Sequence, residues 1–523
     1  MNLTQTIRRS AQVSPNKTAT VFAKREQTFS QLVERVARLA GALRKAGVKE
    51  GDRVAILALN SDRYFEYYFA VPWVGAVLVP LNIRWSVAEN VYSLEDSGSS
   101  VLFIDDTFLE IGKEILAGCS QLKTCIYMGD GIAPEGMLTY EDILEEADPI
   151  GDAMRGYNDL LGIFYTGGTT GFPKGVMISH QNFYTSSIAA LAGLDCNQQD
   201  IRYMHAAPMF HMADAAVSCA NAIAGNTHVF IPAFQPQAVA DAISAHQVTD
   251  LLLVPTMISM MLEKDVFSGA DVSSLRKAIY GASPMPEGTL RAAIAKLPNV
   301  DFYQAYGQTE LAPMATILRP EYHVFEGPMA GKLRSAGQAG YIVDIKIVDD
   351  QGNRLPIGQV GEVVITGPNA MLGYWNRPEQ TASTLIDGWV HTGDAGFLDE
   401  EGFLFLVDRV KDMIVSGGEN IFSAEVESAV TIHPAVLEVA VVGIPNVEWG
   451  EAVHAIVRLK QDYEASDELE AAIIEECRGQ IASYKCPRSV EFREEPFPMT
   501  GAGKLRKMDL RKPYWEAYDR AVN

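Results

Sequence analysis

The sequence predicts an α/β protein, and three observations carry that prediction. Short apolar runs alternate with amphipathic helical runs through more than half of the chain, which favours parallel sheets covered by helices. At 523 residues the chain is too long for one core, so about three domains or subdomains are expected. With 48% hydrophobic and 21% charged residues, its composition is that of an ordinary globular protein.

The elements follow in order. Thr28 and Gln31 have capping-box spacing before an amphipathic run (Leu32, Val36, Leu39, Leu43) that stops at Gly47. Residues 53–59 read as a buried strand and 64–74 as an apolar helix. Short strands are expected at 102–104, 125–127 and 160–165, the last leading into a glycine-rich loop, where open α/β sheets carry ligand loops. A second cycle of strands covers 228–231, 251–254 and 276–280. From about 340 to 406 strands and turns alternate, which suggests an all-β module. The stretch 412–523 has its own helix at 423–430, strand at 438–442 and long acidic helix at 466–481. No low-complexity linker precedes it, so a short hinge near 408–412 is expected.

Charge and cysteine usage narrow the class. A net charge of −23 argues against nucleic acid or an anionic membrane surface as the main partner. The six cysteines include no pair at metal-ligand spacing, so a zinc site is not indicated, and scattered thiols suit a cytoplasmic protein. The N-terminus has no apolar signal region, and no apolar run is long enough to span a bilayer.

Residues 165–175 read Tyr-Thr-Gly-Gly-Thr-Thr-Gly-Phe-Pro-Lys-Gly. Gly167, Gly168 and Gly171 let the backbone turn tightly and expose its N–H groups, while Thr166, Thr169, Thr170 and Lys174 add donors and a cation. Such a loop suits a polyphosphate, whose oxygens want many donors at close range. It is not a P-loop, because Gly175 rather than Ser or Thr follows Lys174. At 303–310, Tyr306 could stack on a purine, Thr309 could donate to a phosphate and Glu310 could hold Mg²⁺; the same pattern also suits an aromatic strand ending in a solvated turn. Asp394, after Thr392 and Gly393, is either a turn residue or an acceptor for ribose hydroxyls. Residues 498–504 put Lys504 on a glycine-flanked loop.

With these segments in this order, the chain resembles the adenylate-forming superfamily, specifically acyl-CoA synthetases related to fatty-acyl-CoA and 4-coumarate–CoA ligases. The resemblance runs from about residue 10 to 512. It rests on 165–175, 281–283, 306–310, Gly373-Tyr374-Trp375, 392–394, 408–412, 416–420 and 498–504. It implies a large N-terminal domain (1–407) of two α/β subdomains plus a distorted β-barrel, a hinge (408–411) and a small mobile α+β domain (412–523). It implies a two-step reaction: a carboxylate attacks the α-phosphate of ATP to give an acyl-adenylate and pyrophosphate, then the thiol of coenzyme A displaces AMP. Lys504 would bridge the carboxylate and the α-phosphate, and Glu310 with Thr166 would hold Mg²⁺. Gly281, Ala282, Ser283, Gln304, Ala305, Tyr306 and Gly307 match the nucleotide-binding positions, Asp394 and Arg409 the ribose contacts, and Lys411 the hinge. Gly417 and Gly418 match the pantetheine tunnel, and Arg84, Trp449, Tyr484 and Arg488 the coenzyme A nucleotide site, where Cys486 departs from a basic residue.

The acyl pocket is expected near Met209, His211, Ala213 and Asp214, with Ala305 and Gly307. His211 matches a residue at the mouth of the carboxylate site. A lone histidine is more often structural, and Asp214 could be structural or face a polar substrate tail. The small residues Ala206, Ala207, Ala213, Ala215, Ala216 and Ala305 suggest a roomy apolar cavity. Acetate-specific relatives close theirs with a tryptophan beside the 306–310 motif, where this chain has Ala305. A medium-to-long acyl or aryl-alkyl acid is therefore expected, and a homodimer is allowed. Two other classes fit less well: an adenylation enzyme delivering to a carrier protein, and a catalytically silent nucleotide-binding paralogue.

Overall fold

The computed structural model describes all residues except 168–172, 284, 410–411, 417–418, 447–448, 500–504 and 517–523, and no side chains at 408–409 and 419–420. The chain divides into two compact units, one of residues 1–345 and 365–391, the other of 346–364 and 392–523.

The first unit contains two large sheets. One has nine strands, in the order Gln338–Ala339, Met314–Leu318, Asp301–Gly307, Lys277–Gly281, Asp250–Leu253, Arg202–His205, Thr227–Phe230, Thr18–Phe22 and Arg25–Thr28. Its centre is parallel, and the registers run Gly281 to Ala305 and Leu253 to Tyr280. The other has eight strands, in the order Gly373–Tyr374, Lys174–Ser179, Leu160–Thr166, Val77–Pro80, Arg53–Leu57, Val101–Ile104, Thr124–Tyr127 and Leu138–Thr139. The expected strands are present with bounds shifted by a few residues. The capping box of Thr28 and Gln31 opens the helix Phe29–Lys45.

The helix Asp62–Trp73 packs on Val77–Pro80 of one sheet and Thr18–Phe22 of the other. All its residues are buried, as expected of a helix with no solvent face. Its polar groups are therefore satisfied inside the fold. Arg25 pairs with Asp62 at 2.8 Å, Arg35 pairs with Glu66 at 2.7 Å, and the Tyr140 hydroxyl donates to Glu66 at 2.6 Å.

A five-stranded sheet is made of Asp344–Val348, Gly361–Thr366, Trp389–Leu398, Leu385–Ile386 and Leu404–Arg409. The stretch from 340 to 406 is not purely β. The helix Pro378–Thr384 interrupts it, and Gly373–Tyr374 pairs with Lys174–Ser179 in the eight-stranded sheet. The second unit also holds a sheet ordered Glu419–Ile421, Ile414–Ser416, Gly450–Leu459 and Val436–Asn446, with Ser489–Phe492 on Gly450–Leu459. The helices Ser423–Val430 and Asp467–Arg478 contribute to its core. Among the described residues no helix is long and apolar enough to cross a membrane. All six cysteines are free and buried.

Two predictions follow from the buried groups. Arg35→Met would leave the buried Glu66 side chain with the neutral partners Tyr140 and Gln27 in place of its ion pair. A loss of about 3 kcal/mol is expected in urea unfolding, since breaking a buried pair strands its partner. His180 is buried and accepts the Leu3 N–H at Nδ1, 3.3 Å away, and burial pushes its pKa down to about 4. Its stabilising contribution is thus present above the unfolded value of about 6.5 and lost as pH falls towards 4. Melting temperatures across that window should drop less steeply in His180→Asn than in the unmodified chain; parallel curves would exclude this role.

Candidate functional site

The glycine-rich loop closes an antiparallel hairpin. Leu160–Thr166 pairs with Lys174–Ser179, and Thr166 stands opposite Lys174 at the mouth. Both residues are half-buried and Gly167 is exposed; Gly168, Thr169, Thr170 and Gly171 lie outside the described residues. The base of the hairpin is anchored: the Tyr165 hydroxyl donates to Asp96 at 2.6 Å and the Trp375 N–H to the Gly175 carbonyl at 2.7 Å. The Lys174 ammonium sits 5.2 Å above the ring of Tyr374, whose hydroxyl donates to Glu310 Oε1 at 2.8 Å. Lys174, at the start of a strand of one sheet, and Glu310, in the turn after a strand of the other, are thus joined through one tyrosine.

Glu310 lies in the short turn Thr309–Leu311 that follows the strand Asp301–Gly307. Asn369 fixes this turn, donating through Nδ2 to the carbonyls of Leu311 at 2.7 Å and Met314 at 2.8 Å. The neighbouring parallel strand ends at Gly281, in register with Ala305, so Gly281, Ala282 and Ser283 lie beside Gln304, Ala305, Tyr306 and Gly307. All seven are half-buried, and they occupy the carboxyl ends of parallel strands, where α/β sheets bind ligands. The close approach explains two glycines: a Cβ on Gly281 would meet the Ala305 carbonyl oxygen at 2.1 Å, and one on Gly307 the Pro313 carbonyl oxygen at 1.6 Å. Beneath them the Tyr280 hydroxyl lies 2.9 Å from His323 Nε2 and 3.3 Å from Gln304 Oε1. Burial lowers the His323 pKa to about 4.

On the acyl side, half-buried His211 caps the helix Met212–Ala224, its Nδ1 accepting the Ala213 N–H at 3.4 Å. Ala213 and Ala305 are both partly covered and pack on one cluster with Tyr303, Met314 and Ile317. Met209 lies deeper, fully buried, with its N–H on Asn60 Oδ1 at 2.8 Å and its carbonyl taken by the Tyr68 hydroxyl. Asp214 also lies in the core. One of its oxygens accepts from Tyr203 and the other lies 2.8 Å from His205 Nδ1, so its carboxylate is held within the fold.

In the second unit, Asp394 on Trp389–Leu398 stands directly opposite Arg409 in the antiparallel register. Its N–H donates to the Thr392 hydroxyl at 3.1 Å, and that hydroxyl donates to the Val363 carbonyl at 2.6 Å. Trp449, Tyr484 and Arg488 are exposed, and the Arg488 guanidinium lies 5.6 Å over the Trp449 ring. Cys486 is buried, so the position at which the sequence departs from a basic residue presents nothing to solvent. Arg84, in the first unit, is exposed. Lys411, Gly417, Gly418 and Lys504 lie outside the described residues. Next to Lys504, Leu505 bridges to Met499 and the Arg506 N–H donates to the Pro498 carbonyl at 2.9 Å. The following helix is pinned by Lys507 to Glu427 at 2.7 Å and by Trp515 to the Gly443 carbonyl at 3.0 Å.

Sequence reasoning assigned no role to Tyr374 or Asn60. The Gly-Tyr-Trp segment marked Tyr374 as part of a motif, but its partner Glu310 is 64 positions away. Asn60 clamps the segment leading to His211: its amide nitrogen donates to the carbonyls of His205 at 3.2 Å and Ala207 at 2.9 Å. Nothing in its local pattern signals this.

The family models for AMP-binding enzymes and for the AMP-binding enzyme C-terminal domain match residues 7–375 and 425–504. The chain is 39% identical to a feruloyl-CoA synthase of Amycolatopsis over 97% of its length and 98% of that protein. It is 36% identical to a fatty acid–[acyl-carrier-protein] ligase, ScoC, of Streptomyces coeruleorubidus, over 100% and 98%. The fold matches that of the o-succinylbenzoate CoA synthetase of Bacillus subtilis in complex with its acyl-adenylate intermediate, with a TM-score of 0.84, 30% identity and 97% of both chains covered. The likeness spans almost the whole chain, and the chain belongs to the AMP-binding, adenylate-forming enzymes as an ATP-dependent acyl-CoA synthetase, an AMP-forming carboxylate–CoA ligase.

Proposed function

We propose that the acid activated is a medium-to-long acyl or aryl-alkyl carboxylate. The observation that carries this reading is that Ala213 and Ala305, both small and partly covered, pack against one buried apolar cluster. The relatives named for ferulate and for fatty acids act on acids of these two shapes. His211 at the helix start stands at the mouth of this pocket, while Met209 and Asp214 support it from behind.

In the first half-reaction a carboxylate oxygen attacks the α-phosphorus of ATP and pyrophosphate leaves. Two anions must meet, so donors and cations fixed in advance lower the barrier. Thr166, Gly167 and Lys174, with Gly168, Thr169, Thr170 and Gly171, take the β- and γ-phosphates. Gly281, Ala282, Ser283, Gln304, Ala305 and Tyr306 hold the adenine, Gly307 lies between the nucleotide and the acyl pocket, Thr309 donates to a phosphate, and Asp394 and Arg409 hold the ribose. Glu310 and Thr166 are hard oxygen donors, few in number, which suits Mg²⁺ completed by phosphate oxygens and water; when bound, it offsets phosphate charge. Lys504 bridges the carboxylate and the α-phosphate.

In the second half-reaction the small domain, 412–523, turns about Lys411 and the thiol of coenzyme A attacks the acyl carbon, releasing AMP. Gly417 and Gly418 line the pantetheine path. Arg84, Trp449, Tyr484 and Arg488 meet the nucleotide end, and the exposed Trp449–Arg488 stack supports that assignment. Buried, free thiols suit a cytoplasmic location. Delivery to a carrier-protein thiol is the second reading, favoured by the likeness to the carrier-protein ligase.

The decisive assay follows pyrophosphate release and thioester formation over a panel of acids, with coenzyme A or a phosphopantetheinylated carrier protein as acceptor. Thioester on the carrier alone would replace the coenzyme A reading. In Lys504→Ala, adenylate formation should fall at least about a hundredfold, while a supplied acyl-adenylate still reacts with coenzyme A at close to the normal rate. Equal losses in both steps would remove Lys504 from the first. Ala305→Trp should cost about 0.8 kcal/mol for each CH₂ no longer buried, so kcat/KM should fall most for the longest acids. A uniform loss across butyrate, octanoate and ferulate would place Ala305 outside the pocket.

A further inference from the structure

The segment from Pro368 to Trp375 is bonded to both halves of the candidate phosphate site. On one side Gly373 and Tyr374 pair with Met177 and Val176 of the glycine-loop hairpin, and the Trp375 N–H reaches the Gly175 carbonyl at 2.7 Å. The Trp375 indole also donates to the Asp96 carbonyl at 2.8 Å, and Asn182 donates to the Pro368 carbonyl at 2.9 Å. On the other side Asn369 holds the turn after Glu310, and the Met371 N–H donates to the Glu310 carbonyl at 2.9 Å. The Tyr374 N–H donates to Thr381 Oγ1 at 2.8 Å, which sets the ring's backbone independently of Glu310.

Tyr374 is therefore held by its backbone, and its side chain serves two charged groups. Its hydroxyl donates to Glu310 Oε1, and its ring face lies under the Lys174 ammonium. A carboxylate that binds a hard cation performs best when another donor fixes its rotamer. A lysine that approaches and later releases phosphate needs a weak, non-bonded resting place, which a ring face provides.

We propose that Tyr374 is a positioning residue that presets the Glu310 carboxylate for Mg²⁺ and parks Lys174 at the phosphate position, coupling the metal and phosphate halves of the site. This rests on the reading of Glu310 as a metal ligand and of Lys174 as a phosphate contact. Tyr374→Phe keeps the ring and removes the hydroxyl, whereas Tyr374→Leu removes both.

The test titrates Mg²⁺ into enzyme saturated with a non-hydrolysable ATP analogue, followed by calorimetry. The Mg²⁺ dependence of pyrophosphate release, the KM for the acid and the melting temperature are measured on the same preparations. In Tyr374→Phe the half-saturating Mg²⁺ should rise about tenfold in both titrations, with an unchanged KM for the acid and an unchanged melting temperature. Tyr374→Leu should in addition weaken metal-free binding of the analogue, because Lys174 loses its rest. Glu310→Gln serves as the reference. If Glu310→Gln shifts the Mg²⁺ requirement and Tyr374→Phe does not, the coupling is wrong and the reading of Glu310 stands. If neither shifts it, the reading of Glu310 falls and takes the coupling with it. A fall in melting temperature with equal losses in every kinetic constant would make Tyr374 a packing residue and overturn the proposal.

Discussion

One helix, Asp62–Trp73, is buried against both large sheets, and the charges it carries must be neutralised inside the fold. Burying an unpaired carboxylate costs several kcal/mol even after relaxation, so Asp62 and Glu66 commit Arg25 and Arg35 to fixed places. These pairs tie the strand Arg25–Thr28 and the helix Phe29–Lys45 to one element. Asn60, two residues before the helix start, extends the constraint towards the site. Asn60 bonds the backbone at 205, 207 and 209, which leads directly to His211. The segment leading to the acyl-side helix is therefore held from the foot of a helix whose residues are all buried.

Local chemistry was readable and long-range pairing was not. The capping box at Thr28, the helix at 423–430 and the parallel strands at 251–254 and 276–280 each follow from a pattern within a few residues. The stretch from 340 to 406 was read as one β module because its strands and turns are evenly spaced. In the fold, residues 365–391 group with the first unit, and the two-residue strand Gly373–Tyr374 joins a hairpin about two hundred positions earlier. A strand that short carries no periodicity, so its partner is set by tertiary hydrogen bonds alone.

The same division holds for the site. Residues that present a chemistry repeated over a short span, such as the hydroxyls and glycines of 165–175, announce themselves. Residues that position them are ordinary in sequence. Asp214 illustrates this: beside His211 it could be structural or substrate-facing, and only the fold shows both its oxygens taken by Tyr203 and His205. Tyr374 stands in a visible motif, yet its chemistry lies in its contact with Glu310.

Net charge sharpens why such positioning is needed. The chain carries −23, yet the reaction brings a carboxylate and ATP together. The overall field opposes that encounter, and it is screened beyond about 8 Å at physiological ionic strength, so the balance is decided by groups close to the phosphates. A lysine free to fold back onto a neighbouring carboxylate would neutralise itself and contribute little. The Tyr374 ring lies between Lys174 and Glu310 and keeps the two opposite charges separate without a direct ion pair. Lys174 and Glu310 thus remain a separate cation and anion, each held by a neutral group. That arrangement leaves both free to exchange a weak internal partner for a stronger one on the substrate or its metal.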